Sequence, residues 1–580
     1  MTLVRPRRVG ARIAGRAHDL CATVGGPAGG AEVEPAAVRV VASTDPARLD
    51  EVVAEVELVG PETILAAAVA ARAATREWAA VPAPVRGSVI GSFGRLVADN
   101  ADALARLVTR EVGKPAAEAR GEVQEIIDTC EFFRGEGRRL YGQTVPSEMP
   151  DRQLFTFREP LGVMMVITAG NFPVAVPSWY LVPALLAGNT VVWKPAEYAA
   201  ACAQAMLDLL TAAGVPGGAV NLVPADGRAT SLGLERALAA GAVDKVGFTG
   251  STEVGRFIGA LCGRHLQSPC LELGGKNPMV VAPDADLDAA VEAAVFGGFG
   301  TAGQRCTSLG TAIVHESVHA AFVRRLDAAV SAAVIGDPTG DVLYGPLLDA
   351  RFAAGFERHL TLLRDHHRLS GSTALGRITG AIGGTGATGG TGRAGGTGRA
   401  GWAGGTVGGA GSAEPLGAGG LPRNGPRRGF VGDPDRGLYY HPLIVDGVRP
   451  DDELFREETF GPIVGVTTYR DLDEAIELAN LPGYGLSSSI YTADAASALR
   501  FRRGVRAGMV SVNGSTTGAE AHLPFGGNGR SGNGSRQSGI WMLDQVTRWQ
   551  SLSWDYSGRL QRAQLDTAVP AADLSFRLPG

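Results

Sequence analysis

Cys306 stands directly after an arginine in GTAGQRCTSLG (Gly300 to Gly310), a loop of glycines and small polar residues. A structural cysteine behaves as a small hydrophobe among apolar neighbours, whereas a nucleophile needs access, a supple backbone and nearby positive or dipolar groups that favour the thiolate. Its surroundings match the second description, and a packed, inert thiol stays open as the alternative. In LELGGKNP (Leu271 to Pro278), Glu272 lies between two leucines and ahead of two glycines. Such an apolar setting raises a carboxyl pKa and makes a usable base, although an N-capping or ion-paired acid would look the same. TAGNFPVAVP (Thr168 to Pro177) puts Asn171 just past a buried run, where its amide donates to a developing oxyanion or simply shapes a turn. In VVWKPAE (Val191 to Glu197), Lys194 and Glu197 end another apolar run, as partners for ribose hydroxyls or as a solvated ion pair. FTGSTEVG (Phe248 to Gly255) offers a turn at Gly250, a hydroxyl at Ser251 and then a helix start, whose free N–H groups receive anions.

The elements that must position these groups follow from hydrophobic periodicity. VMMVITA (Val163 to Ala169), NTVVWKPA (Asn189 to Ala196), AVNLVPA (Ala219 to Ala225) and KVGFTGS (Lys245 to Ser251) are short valine-rich runs separated by alanine- and leucine-rich segments of helical period. Strand, helix, strand repetition of this kind predicts a parallel, doubly wound sheet with ligands beyond the carboxyl ends of its strands. A second series starts at NPMVVAP (Asn277 to Pro283) and resumes with IVGVTTY (Ile463 to Tyr469) and SSSIYTA (Ser487 to Ala493), so two α/β domains are expected.

Bulk properties narrow the function. A chain of 580 residues supports more than one core, and a net charge of -5 without a basic stripe argues against nucleic acid. Its six cysteines are scattered without ligand spacing, so neither disulfides nor a metal site is expected, and a reducing cytoplasm fits them. No apolar run reaches the roughly 18 residues of a membrane span. The arginine-rich start, interrupted by glycine, reads as a disordered tail over residues 1–38 rather than a targeting segment. Between about 371 and 432, GAIGGTGATGGTGRAGGTGRAGWAGG and its flanks read as a flexible low-complexity insertion.

The ordered set Asn171-Phe172-Pro173, WKPAE, FTGSTEVG, LELGGKNP, GQRC and EETFGP (Glu457 to Pro462), with Glu272 and Cys306 separated by 34 positions, resembles the aldehyde dehydrogenase superfamily from about residue 40 to about residue 560. The resemblance implies a Rossmann-like NAD-binding domain (39–136 and 161–274), an α/β catalytic domain (275–540), and a small β extension (137–160 and 541–560) that joins subunits into a homodimer or homotetramer, with a tail at 561–580. It implies that Cys306 attacks the aldehyde carbon, that the Asn171 amide and the Cys306 N–H steady the oxyanion, and that Glu272 activates the hydrolytic water. Lys194 and Glu197 would hold the adenine ribose, Gly250 and Ser251 the pyrophosphate, and Glu458 with Phe460 the nicotinamide ribose. A carboxylate at Glu197 repels a 2′-phosphate, which favours NAD over NADP.

GEVQE (Gly121 to Glu125), GTAGQRCT and TTGAE (Thr516 to Glu520) are similar to the aminoadipate-semialdehyde, or piperideine-6-carboxylate, dehydrogenase branch. That likeness implies a lysine-catabolic substrate whose ammonium faces Glu122 and whose carboxylate meets Arg305 and the Gly518-Ala519 backbone. The branch usually carries a bulky residue where this chain has Gly170, and arginines where it has Leu309 and Gly310. Those departures fall near the expected tunnel and leave a broader aldehyde dehydrogenase as the alternative. A CoA-acylating enzyme has no use for Glu272. A silent scaffold would be signalled by loss of one of the three catalytic side chains, and none is lost.

Overall fold

The computed structural model describes residues 6–18, 39–371, 429–560 and 571–579. The fold is α/β and is built around two seven-stranded sheets. In the first, strands Val163–Ile167, Thr190–Lys194, Val220–Leu222, Lys245–Thr249 and Cys270–Glu272 run parallel. The strand Val163–Ile167 lies between Thr190–Lys194 and Lys245–Thr249, so the order reverses beside it. At such a point the loops leaving adjacent strands diverge and open a crevice. The loops carrying Asn171, Lys194 and Ser251 all leave this edge.

All five residues of Val163–Ile167 and of Thr190–Lys194 are buried, as expected of strands covered on both faces. The helix Ala175–Ala187, apolar on every side, is buried throughout and fills one of those faces. The second sheet orders Leu443–Asp446, Ile463–Tyr469, Leu309–His315, Asn277–Val281, Ser487–Tyr491 and Met509–Val512 in parallel, with Arg368–Ser370 antiparallel at its edge. Each sheet has its own apolar core, and Cys306 packs on the core of the first although its loop feeds a strand of the second.

The start of the chain corrects the expectation of a tail. Arg7–Val9 pairs in parallel with Arg48–Leu58, and Arg12–Ile13 adds antiparallel to Val220–Leu222. Val9, Ala11 and Ile13 alternate with Arg8, Gly10 and Arg12, a period of two too brief to register. The partners come from far along the chain: Asn221 Oδ1 accepts the Ala14 N–H at 2.9 Å. The hairpin thereby covers a sheet edge that would otherwise expose unpaired backbone. The far end of the expected insertion is also corrected, because Phe430–Val431 pairs with Ile335–Gly336. The rest of that insertion, from 372 to 428, lies outside the described residues, as do 19–38 and 561–570.

A third sheet pairs Thr547–Asp555 with Arg152–Pro160, which in turn pairs with Thr144–Val145. Its terminal strand leaves Trp549, Leu552 and Trp554 exposed. Among the described residues, no helix is long and apolar enough to cross a membrane.

Candidate active site

The helix Leu287–Phe299 ends where the chain turns through Thr301, Ala302 and Gly303 at φ 52°, 55° and 70°. Left-handed backbone at two non-glycine residues costs roughly 1–2 kcal/mol each and persists only where neighbours enforce it. Here Glu118 accepts both the N–H and the hydroxyl of Thr301. The buried Gln304 side chain donates to Thr301 O at 3.0 Å and accepts the Leu348 N–H at 2.9 Å. Beyond the turn, Asn277 Nδ2 donates to the carbonyls of Cys306 and Ser308, both at 2.8 Å. The nucleophile's main chain is therefore held from two sides. Sequence reading passed over Glu118, Gln304 and Asn277, although Gln304 and Asn277 stand inside the quoted motifs.

Cys306 is partly open to solvent, while its sulfur sits in apolar surroundings. Burial, then the negative charges of Glu458 and Glu272, push its thiol up to about 12, opposed by the N–H groups of Cys306 itself and Thr307. The resting group is a thiol flanked by two acids. Asn171, buried at the end of Val163–Ile167, donates one amide N–H to Gln304 O at 2.9 Å, two residues before the sulfur. The amide has a second N–H to give.

Glu272 closes the strand Cys270–Glu272 and is buried with neither carboxylate oxygen in a well-formed hydrogen bond. Burial holds its pKa well above the usual carboxylate range, opposed by Arg536 and by the Gly527 N–H. A buried carboxyl left without partners costs stability, and such groups cluster at functional sites. The loop that follows Glu272 abuts the nucleophile's main chain, since a Cβ at Gly275 would meet Cys306 O at 2.5 Å.

Several polar groups stand on the loops around the first sheet. Gly250 N–H donates to Glu272 O at 3.1 Å, tying the turn after Lys245–Thr249 to the base's strand. Ser251 caps the helix Thr252–Arg264, whose first turn offers unpaired N–H groups. At the end of Thr190–Lys194, the Lys194 ammonium lies 3.7 Å from Glu197. Burial lowers the lysine's pKa, while Lys194 and Arg351 together outweigh burial at Glu197 and hold its carboxyl low. Glu458 accepts the Gly275 N–H at 3.0 Å, and a Cβ at position 274 would come within 1.8 Å of its other oxygen, so the bare glycine backbone makes its cradle. Burial lifts Glu458 to about 7. Phe460, at φ 42°, stacks towards Phe352 with centroids 5.6 Å apart. A cation and carboxylate for one ribose, a helix start for phosphate and a cradled carboxylate for a second ribose form a donor set that fits a dinucleotide.

Lys276, unremarked in the sequence, is buried beside these groups with its ammonium unpartnered. Burial pushes it down to about 8 against the pull of Glu458 and Glu457.

The substrate side departs from expectation. Glu122 is buried, pairs with Lys114, and accepts the N–H groups of Val174 and Ala175 at 2.9 and 3.1 Å. It anchors the start of Ala175–Ala187 and does not face a substrate. One turn further along Ala116–Glu136, Glu125 lines a cavity of about 470 Å³ together with Gly121, Asp128, Ala519 and His522. Its Oε1 is buried without a partner, and burial, reinforced by Glu122, lifts its carboxyl to about 8. Arg305 opposes that rise, which puts the guanidinium within electrostatic reach. Arg305 also pairs with Glu118 at 2.5 Å and covers the Phe296 ring, so its charge is shared rather than free. Gly518 lies at φ 127° just before Ala519, on the loop facing Glu125.

All three sequence departures have packing reasons. A Cβ at Gly170 would meet the Tyr198 ring at 2.4 Å, so that ring fills the room a bulkier residue would take. Gly310 gives way to the stem of Lys276, and Leu309 is core.

The aldehyde dehydrogenase family model matches residues 33–370 and 424–552. The chain is 36% identical over 508 residues, 87% of this chain and 93% of the relative, to an alpha-ketoglutarate semialdehyde dehydrogenase of Haloferax volcanii. It is 33% identical over 503 residues, 85% of this chain and 82% of the relative, to an alpha-aminoadipic semialdehyde dehydrogenase of Mus musculus. A solved NADP-dependent enzyme of E. coli superposes with TM-score 0.77 at 29% identity, covering 95% of this chain and 98% of the other.

Proposed function

Because the chain belongs to the aldehyde dehydrogenase family, we propose that it oxidises an amino-acid semialdehyde, of the aminoadipate semialdehyde type, to the carboxylic acid. The observation that carries the reading is the convergence of Cys306, Asn171 and the unpartnered Glu272. Lys194, Glu197, Ser251 and Glu458 would hold a nicotinamide dinucleotide, which would supply the hydride acceptor that the side chains cannot. Cys306 forms the carbon–sulfur bond to the aldehyde and gives up its thiol proton to solvent. Asn171 Nδ2 and the Cys306 N–H receive the negative oxygen of the thiohemiacetal. Loss of hydride from that carbon leaves a thioester on the sulfur. Glu272 then takes a proton from water as its oxygen bonds to the carbonyl carbon, the carbon–sulfur bond breaks, and the thiol is restored with release of the acid.

For the substrate's far end, Glu125 replaces Glu122 as the partner of an ammonium, with Arg305 and the Gly518-Ala519 backbone for the carboxylate. The unpartnered Glu125 oxygen in the cavity supports this assignment, and so does the aminoadipic semialdehyde relative. Relatives acting on keto-acid semialdehydes keep the broader reading as the alternative. Glu125→Gln is expected to cut kcat/KM for aminoadipate semialdehyde about tenfold or more relative to that for an uncharged aldehyde of equal length, the loss typical of a hydrogen bond to a charged group. Steady-state NADH formation across such a panel checks it, and an unchanged ratio would favour the broad enzyme.

The same reading makes the strand Thr547–Asp555 a subunit contact, since exposed aromatics on an edge strand invite pairing. Sedimentation velocity is expected to show a dimer or tetramer. Leu552→Asp with Trp554→Asp should shift it toward monomer, and a wild-type monomer would contradict the assignment.

A further inference from the structure

We infer that Glu118 is a specificity-determining residue: by holding Arg305 it leaves the substrate's far end a place for a carboxylate only when an ammonium comes with it, so that semialdehydes carrying a carboxylate alone are disfavoured. The inference rests on the reading of Glu125 and Arg305 as the groups that meet that end. The guanidinium is engaged on three sides. Its Nη2 lies 2.5 Å from Glu118 Oε2, its Nε donates to the Thr301 hydroxyl at 3.1 Å, and its carbon stands 4.7 Å from the centre of the Phe296 ring. Glu118 is fixed in turn, since it accepts the Thr301 N–H at 3.1 Å and the Thr301 hydroxyl as well. With side chains 10% and 13% exposed, Arg305 and Glu118 form a shielded pair, and parting them would strand two charges. An incoming carboxylate therefore finds the arginine's charge already balanced and a second carboxylate beside it.

The helix Ala116–Glu136 sets the pair next to the cavity. Glu118, Gly121 and Glu125 recur at i, i+3 and i+7 and so share one face, and the last two of them line the cavity. A Cβ at Gly300 would lie 3.3 Å from Arg305 Nη2 and 3.6 Å from Glu118 Oε1, which puts the pair against the start of the nucleophile's loop. Asp128, Glu131 and Glu520 add exposed carboxylates to the cavity's lining, so the field it offers is negative. Within that field the buried, unpartnered Glu125 Oε1 is the complement of an ammonium. For a tail with both charges, Glu125 balances the ammonium, and the carboxylate needs only the Gly518-Ala519 backbone and the remaining edge of the guanidinium. For a tail with a carboxylate alone, no positive charge is left over. Discrimination then comes from what the site repels as much as from what it attracts.

Steady-state kinetics with three six-carbon aldehydes tests this: aminoadipate semialdehyde, adipate semialdehyde, which lacks only the ammonium, and hexanal, which lacks both charges. Wild-type kcat/KM is expected to be no higher for adipate semialdehyde than for hexanal. Glu118→Gln removes the balancing charge and keeps an oxygen for the Thr301 N–H. It should raise the ratio of adipate semialdehyde to hexanal by about tenfold or more, while Glu118→Asp, which keeps the charge, stays below it. Wild-type protein that prefers adipate semialdehyde to hexanal tenfold overturns the proposal without any variant. So does a Glu118→Gln protein whose ratio is unmoved because turnover of all three aldehydes falls alike, the result of a merely structural role. Arg305→Ala separates the two readings. If it leaves the ratio of aminoadipate semialdehyde to hexanal unchanged, the assignment of the tail to Arg305 is what fails. A response to Arg305→Ala with none to Glu118→Gln refutes the role of Glu118 alone.

Discussion

Cys306→Ala should lower kcat by about ten-thousandfold or more, because it removes the atom on which the covalent path is built and leaves only binding and oxyanion stabilisation. The substitution is mild for the fold: the residue is half-open, and its loop is held through main-chain bonds from Asn277 and by the Gln304 side chain, none of which uses the sulfur. A melting curve superimposable on the wild type, with no NADH formed, is the expected pair of observations. The same sulfur should respond to pH in a particular way. Burial and the neighbouring Glu458 and Glu272 place its pKa near 12, so in ligand-free protein the thiolate fraction, and with it the iodoacetamide labelling rate, should rise about tenfold per pH unit between 7 and 9. Labelling that levels off below pH 9 would show that the thiol ionises below that pH, and turnover that survives the alanine would show that another group carries the reaction.

How much of this was legible beforehand depended on whether the information was local. Asn171 lies just past one buried strand, Glu272 ends another, and Cys306 lies in the loop between the helix Leu287–Phe299 and the strand Leu309–His315, so motif and element coincide at each. The alternating parallel strands were visible as valine runs, because burial on both faces erases the polar half of a strand's pattern. The acids of GEVQE were not separable in the same way. Glu122 and Glu125 lie three residues apart on one helix, and only the fold shows that the first meets Lys114 and two N–H groups while the second borders the cavity. Arg351 was invisible for a related reason, since it reaches Glu197 across 154 positions. Gly170 looked like an anomaly until Tyr198, from the next loop, proved to occupy its missing volume. The arginine-rich start was misread because strand pairing with residue 222 and with the strand Arg48–Leu58 leaves almost no local trace in nine or ten residues.

Glu272→Gln should slow steady-state turnover by about a hundredfold to ten-thousandfold, the range that a positioned general base contributes. Its signature differs from that of the cysteine variant, because glutamine leaves thiol addition and hydride loss intact and blocks only hydrolysis of the thioester. Rapid mixing should therefore show a burst of NADH near one equivalent per active site, then a slow phase, and acid quenching should trap acyl group on Cys306. Glutamine matches glutamate in size, and it removes a carboxyl whose oxygens are buried without partners, so the fold should lose little. The pH profile adds an independent reading. Burial holds the Glu272 pKa well above the usual range, and the base works only when ionised, so deacylation in the wild type should climb as pH rises through that raised value. In the glutamine variant this limb should vanish while the labelling limb of Cys306 persists. A variant with no burst would move Glu272 from hydrolysis to thiol activation, and one that retained the ascending limb would assign the titration to Glu458, which burial has lifted to about 7.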